Sequence, residues 1–307
     1  MIDLKVRGQR FAHCSRGLFL VRESRRRLMV RRTKRSAHTE LFGSRDLARP
    51  TRCAVIVAHP NDEVIGAGGL ISRLPDVTVL HVTDGVADNR DSSSLANSER
   101  EKTASQLRQE CGTALALANV NNEHIVDFGV AWRQAPLQLA ELTRRIAAFL
   151  KQKEPDIVLT HPYEGGHPDH DATAFATHAA LRLLQRNGFK PPSIFEIALH
   201  PARDGNGRVL DFLPSSAAET TTLMLDKKAR ELKRRMFACF STQPELQREN
   251  SLGRERFRRP PRYNFEAPPN EGNLIYEGFG SGLNGSEWRS LVSDAWSSLF
   301  PDEQIAH

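Results

Sequence analysis

Cysteine is scarce in this chain and follows no pairing pattern. Cys14, Cys53, Cys111 and Cys239 are the only thiols in 307 residues, and no two form a CxxC. That spacing argues against a disulfide framework and suits a reducing, cytoplasmic setting. Long apolar runs are also missing. None approaches the roughly 20 residues needed to span a bilayer, and Leu18–Val21 is too short for a signal-peptide core. There is no internal repeat and no clean linker. The glycines at 66–69 lack the GxGxxG spacing of a dinucleotide loop. What remains is an ordinary apolar content of 39% and charged content of 26%, enough for one large α/β domain or two small ones.

Acidic residues are nearly absent from the first 36 positions. Twelve Lys and Arg there face only Asp3 and Glu23, a local excess of +10. The whole chain carries +6, so the remainder stands at +6 − 10 = −4. The basic character belongs to a tail over 1–45, and the folded body is taken as 46–300. A disordered or loosely docked extension, a start placed too early with Met29 as the true one, and a basic arm or targeting segment all fit that tail.

Along the body, apolar β-branched runs alternate with helical periodicity. Residues 53–58 (CAVIVA), 77–82 (VTVLHV), 124–128 (HIVDF) and 156–160 (DIVLT) read as strands. SIFEIALH at 193–200 adds another. Helices are expected over 98–117, 137–150, 172–185 and 226–239, with Asp171 capping the third. Residues 161–171 read as a loop, and 244–272, rich in Arg, Pro and Asn, as a long ordered loop or lid. The fold class is α/β: a Rossmann-like, open, mostly parallel sheet with helices on both faces and a C-terminal elaboration.

In such sheets ligands sit beyond the carboxyl ends of the strands. AHPNDE (58–63) follows the first strand and HPYEGGHPDH (161–170) the fourth, so both segments reach the same edge. Two imidazoles and one carboxylate, His59, Asp62 and His170, match the three N/O ligands of a catalytic zinc site with one position left for water. Fe²⁺ suits the same set.

AHPNDE with VIGAGG, TDG at 83–85 and VLTHPYEGGHPDHDAT at 158–173 resembles the PIG-L/LmbE-like N-acetylglucosaminyl deacetylases. The resemblance runs over about 51–298, with LRQE (107–110), ERFRRPPRYNF (255–265) and LIYEGFG (274–280) adding to it. It implies a zinc-dependent hydrolase that removes an N-acetyl group from an N-acetylglucosamine-type sugar or glycoconjugate. His59, Asp62 and His170 match its metal ligands. His167 matches its oxyanion-stabilising general acid, with Asp169 raising the pKa of that imidazole, and Arg108 a substrate-binding arginine. The expected partner is a small amino-sugar ligand, with no nucleic acid and no membrane span; a homo-oligomer stays open.

One position departs. The family motif reads AHPDDE, and its first Asp is the general base. Here it is Asn61, whose amide cannot take a proton. Losing such a base costs roughly 10²–10⁴ in rate. His167, Glu63, Glu164 and Asp171 are candidate substitutes, and a non-catalytic metal-containing sugar-binding protein is the alternative. VAWRQA (130–135) also lacks the acidic residue that related sequences carry near Trp132. Three minor expectations complete the reading: His161 is a structural or supporting group, His81 and His178 lie on element surfaces, and the arginines at 248–262 form a solvated loop or an anion clamp.

Overall fold

The computed structural model describes residues 51–87, 97–204, 207–213, 219–246, 252–279 and 283–302. The expectations for the basic tail lie outside the described residues. Strand β1 (Arg52–Val57) is apolar and buried from Cys53 to Val57, as a central parallel strand must be when both faces are covered. It pairs in parallel with β2 (Asp76–Thr83) on one side and β4 (Ile157–Thr160) on the other. β3 (Ile125–Val130) adds beyond β2, and β5 (Ser193–Ile197) beyond β4, both parallel. The order 3-2-1-4-5 is that of a Rossmann-like half, and it places the crevice between the ends of β1 and β4.

The helices between these strands cover the sheet. They are α1 (Asp62–Ile71), α2 (Asn97–Ala116), α3 (Leu139–Lys153) and α4 (Pro168–Arg186). The expected stripe Leu139, Leu142, Ile146 and Phe149 is buried in the main core with Phe175 and Trp288. On α2, Leu107, Cys111 and Ala114 face inward as their spacing requires.

The C-terminal elaboration differs from the expected lid. After a small hairpin, β6 (His200–Asp204) with β7 (Gly207–Asp211), the chain returns to the main sheet. β8 (Thr220–Met224) and β9 (Arg254–Arg258) extend it antiparallel, with β9 against β5. The arginines of β9 therefore lie in the sheet and not in a solvated loop. Arg258 is buried against Glu196 and Glu164 at 2.6 and 3.0 Å, and Arg256 pairs with Asp211. Opposite charges on neighbouring strands let an Arg-rich segment enter a sheet. Helix α5 (Lys227–Phe237) starts at an Asp226 cap, and α6 (Gly285–Leu299) at an Asn284 capping box.

The glycines of GAGG have a packing role inside α1. A Cβ at Gly66 would lie 2.2 Å from Ile197, and one at Gly69 would lie 2.6 Å from Leu225. The fully buried Lys233 and Glu255 then grip the helix. Lys233 donates to the Ile65 carbonyl at 2.7 Å, and Glu255 accepts from the N–H groups of Gly69 and Leu70. Small residues let that ion pair reach the helix backbone, and α1 is fixed beneath the loop that carries His59 to Asp62.

Candidate metal centre

β1 ends at Val57 and α1 starts at Asp62, so residues 58–61 form a tight turn at the sheet edge. The turn is closed by His59 N–H donating to Asp62 Oδ2 at 2.8 Å. β4 ends at Thr160, and its loop leads directly into α4. That helix starts at Pro168, four residues earlier than expected. Its cap is His167, whose Nδ1 accepts from Asp169 N–H at 3.2 Å, and not Asp171. Proline at the first helical position suits this start. HPDH is thus a helical first turn, which holds His167 and His170 more rigidly than a loop would.

His59 Nδ1, Asp62 Oδ2 and His170 Nε2 converge. They are separated by 3.3 Å (His59 to Asp62), 3.3 Å (His59 to His170) and 3.5 Å (Asp62 to His170). Ligands of a tetrahedral zinc at about 2.0–2.1 Å lie about 3.3–3.4 Å from one another. The donor triangle therefore fits such an ion without rearrangement. Burial opposes a charged His59 ring, but the Asp62 and Asp169 carboxylates outweigh it and push its pKa up to about 10. Burial likewise opposes the Asp62 carboxylate, yet His170 and His59 hold it well below the usual range. A site that assembles positive charge against these carboxylates is one a divalent cation can occupy.

Asp169 departs from its expected pairing. Its Oδ2 lies 3.2 Å from His59 Nε2 but 3.9 Å from His167 Nδ1. His167 Nδ1 already accepts a backbone N–H, so it has no proton to offer the carboxylate. Asp169 instead fixes His59 through Nε2, so that Nδ1 faces the triangle, the usual arrangement behind a metal-binding imidazole. The pKa of His167 moves opposite to expectation: burial, then the charges of His59 and His170, hold it far below the ordinary histidine value. With Nδ1 accepting the Asp169 N–H, Nε2 is the ring nitrogen of His167 left for other partners. The His167 ring centroid lies 4.8 Å from that of His59.

Arg108 is not brought to this site. Leu107 and Cys111 turn inward, so Arg108 faces out and lines a separate pocket of about 730 Å³ with Asp127 and Asn122. His161 is fully buried, and its Nε2 accepts the Ala58 N–H at 2.8 Å, which removes the lone pair it would need as a ligand. It stacks on His170 at 3.9 Å and braces that ring.

Asn61 lies beside the triangle with φ 142°. Its Nδ2 donates to Gln243 Oε1 at 2.8 Å. Glu110 on α2 pins the segment that presents Gln243, accepting from Ser241 Oγ at 2.6 Å and Thr242 N–H at 3.1 Å. Sequence reading missed Gln243, because 182 positions separate it from Asn61.

The candidate substitute bases are engaged elsewhere. Glu63 is buried against His81 Nε2 at 3.1 Å and the Cys111 thiol at 3.2 Å. His81, expected at a surface, is buried; its Nδ1 faces Asp127 at 3.1 Å. Burial opposes charge on that ring, but Cys111 and Glu63 outweigh it and hold its pKa well above normal. Cys111 is pushed up to about 12, chiefly by burial. Glu63, His81 and Cys111 could geometrically hold an ion, but both His81 nitrogens face carboxylates and the thiol keeps its proton. Glu164 meets Arg258 and the Leu213 N–H. Asp171 Oδ1 accepts the N–H groups of Glu164 and Gly165.

A Rossmann-like sheet with imidazoles and a carboxylate at its switch point defines the class. Residues 54–181 match the family profile described as PIG-L, GlcNAc-PI de-N-acetylase. Through that stretch the chain is similar to PIG-L/LmbE-like N-acetylglucosaminyl deacetylases. It is 28% identical over 179 residues to a 1D-myo-inositol 2-acetamido-2-deoxy-alpha-D-glucopyranoside deacetylase of Kineococcus radiotolerans, covering 48% of this chain and 50% of the relative. It is 34% identical over 128 residues to a diacetylchitobiose deacetylase of Thermococcus kodakarensis, covering 39% and 45%. The chain thus spans about half the length of the curated relatives it matches. Two solved structures share the fold. One is GalB, the 4-carboxy-2-hydroxymuconate hydratase of Pseudomonas putida KT2440, at TM-score 0.52 and 17% identity over 70% of this chain and 98% of that one. The other is the A40926 pseudoaglycone deacetylase Dbv21, at 0.51 and 18% over 70% and 99%.

Proposed function

We propose that this protein is a metal-dependent amide hydrolase of the deacetylase type, acting on an N-acetylglucosamine-type sugar or glycoconjugate and slowed by Asn61. The observation that carries the reading is the donor triangle of His59, Asp62 and His170, with separations of 3.3–3.5 Å. Zn²⁺, or Fe²⁺, bound there would supply a Lewis acid for the acyl carbonyl and a water of lowered pKa. Asp169 orients His59. His167, neutral with Nε2–H, donates a hydrogen bond to the oxygen that gains charge as the amide carbonyl is attacked. Asn61 Oδ1 can accept a hydrogen bond from the attacking water but not its proton. Three free thiols among the described residues, Cys53, Cys111 and Cys239, suit the cytoplasm, and no described helix is long and apolar enough to cross a membrane.

A second reading, a non-catalytic sugar-binding protein, is favoured by the Asn61–Gln243 contact, which ties up the residue at the base position. Acetate release from N-acetylglucosamine-type substrates by zinc-loaded protein separates the two. Measurable turnover in wild type supports the hydrolase. No turnover in wild type, with turnover appearing in Asn61→Asp, supports the binding protein.

A further inference from the structure

Beside the donor triangle stands a cation that has no carboxylate partner among the described residues. Trp132 and Arg133 follow β3, and the Trp132 ring lies 5.6 Å from the His167 ring. The Arg133 guanidinium stacks over Trp132 at 4.1 Å. The backbone at Arg133 has φ 63°, an uncommon state for a non-glycine residue. Asp169 enforces it: Oδ2 accepts the Arg133 N–H at 2.7 Å, and Oδ1 the Ala135 N–H at 3.2 Å. The carboxylate that orients His59 thus also holds this turn. Strained backbone persists where surrounding contacts over-determine it, and such positions cluster at ligand sites.

Other arginines near the sheet edge are paired. Arg100 meets Asp84 at 2.9 Å, and Arg258 meets Glu196 at 2.6 Å. Among the described residues Arg133 has no carboxylate partner, and its Nε is buried with no hydrogen-bond acceptor. The nearby carboxylates are committed, Asp62 within the donor triangle and Asp169 to His59 and the turn backbone. Position 61 contributes a neutral amide. A divalent ion in the triangle would add positive charge beside Arg133. A guanidinium held flat against an aromatic ring keeps its N–H fork free for a planar or tetrahedral anion.

We propose that Arg133 and Trp132 form an anion-recognising subsite at the rim of the metal-facing cleft. Its ligand is an N-acylated amino sugar that carries a phosphate or carboxylate group. This rests on the amino-sugar reading above and narrows its substrate class. Trp132 supplies an apolar face for the sugar ring, and Arg133 pairs with the anionic substituent.

The test is calorimetric binding to the zinc-loaded full chain, which needs no turnover. The three probes are N-acetylglucosamine, its 6-phosphate and N-acetylmuramic acid. Wild type should bind at least one anionic sugar about 10-fold or more tighter than the neutral one, as expected for a hydrogen bond to a charged group. The preference should shrink as salt is raised. Arg133→Gln should lose it while keeping affinity for the neutral sugar, and Arg133→Lys should retain part of it. Whichever anionic sugar gains shows whether phosphate or carboxylate is recognised. Equal affinities in wild type, or a preference that survives in Arg133→Gln, would overturn the subsite and leave the deacetylase reading standing. Failure of all three sugars to bind would overturn both.

Discussion

His59, Asp62 and His170 form the inner face of the site; Asn61, Trp132, Arg133 and Gln243 form its rim. In the chain the two regions interleave, since Asn61 directly precedes Asp62. The inner face has the donor types and separations of a tetrahedral metal site. The rim holds a neutral amide bonded to another amide, and a guanidinium on an aromatic ring with no carboxylate partner among the described residues. The lesson is that metal retention and proton transfer are separable. One turn can keep the geometry of the first while losing the chemistry of the second.

The comparison can be broken most forcefully at the inner face. Asp62→Ala removes one of the three proposed ligands. Partners behind metal ligands are typically worth about 10–100-fold in affinity, so losing the ligand itself should cost more than about 100-fold, measured by zinc titration against a competing chelator. Retention of wild-type affinity would place the ion elsewhere. The next largest effect is at the rim and has the opposite sign. Asn61→Asp should raise kcat for acetate release by roughly 10²–10⁴, with zinc affinity little changed because the triangle is untouched. Gln243 can turn its amide to donate to the new carboxylate.

Smaller effects sharpen the boundary between the two regions. Asp169→Asn should weaken zinc binding by about 10–100-fold, because His59 loses the carboxylate behind it. It should also loosen the Arg133 turn, so affinity for anionic sugars should fall too. Gln243→Ala removes a single neutral hydrogen bond, worth about 0.5–1.5 kcal/mol. Thermal unfolding should shift slightly and zinc affinity not at all. A large drop in zinc affinity there would show that the rim supports the metal after all.

Much of this arrangement was legible in the sequence, for identifiable reasons. Runs such as CAVIVA and DIVLT have the buried, β-branched character of central parallel strands, so β1 and β4 and the crevice between them follow from pattern. The HxxD of 59–62 and the HxxH of 167–170 sit at those strand ends. Long-range pairing was not legible. The placement of β9 depends on Arg258 meeting Glu196 and Glu164, and a segment dense in Arg and Pro carries no strand periodicity. His81 looked like a surface residue because a lone His in a strand does not reveal Glu63, Cys111 and Asp127 around it. Arg108 failed for a simpler reason: it lies on the outward face of α2, one position from the buried Leu107. The Asp169 pairing differs from expectation because His167 Nδ1 caps α4, which residue spacing does not reveal.

The central claim is the identity of the inner ligands, and X-ray absorption at the zinc edge of the zinc-loaded protein tests it most directly. His59, Asp62 and His170 predict one ion per chain with nitrogen and oxygen neighbours only, at about 2.0–2.1 Å. A sulfur neighbour at about 2.3 Å would put the ion in the buried cluster of Glu63, His81 and Cys111 and contradict the account.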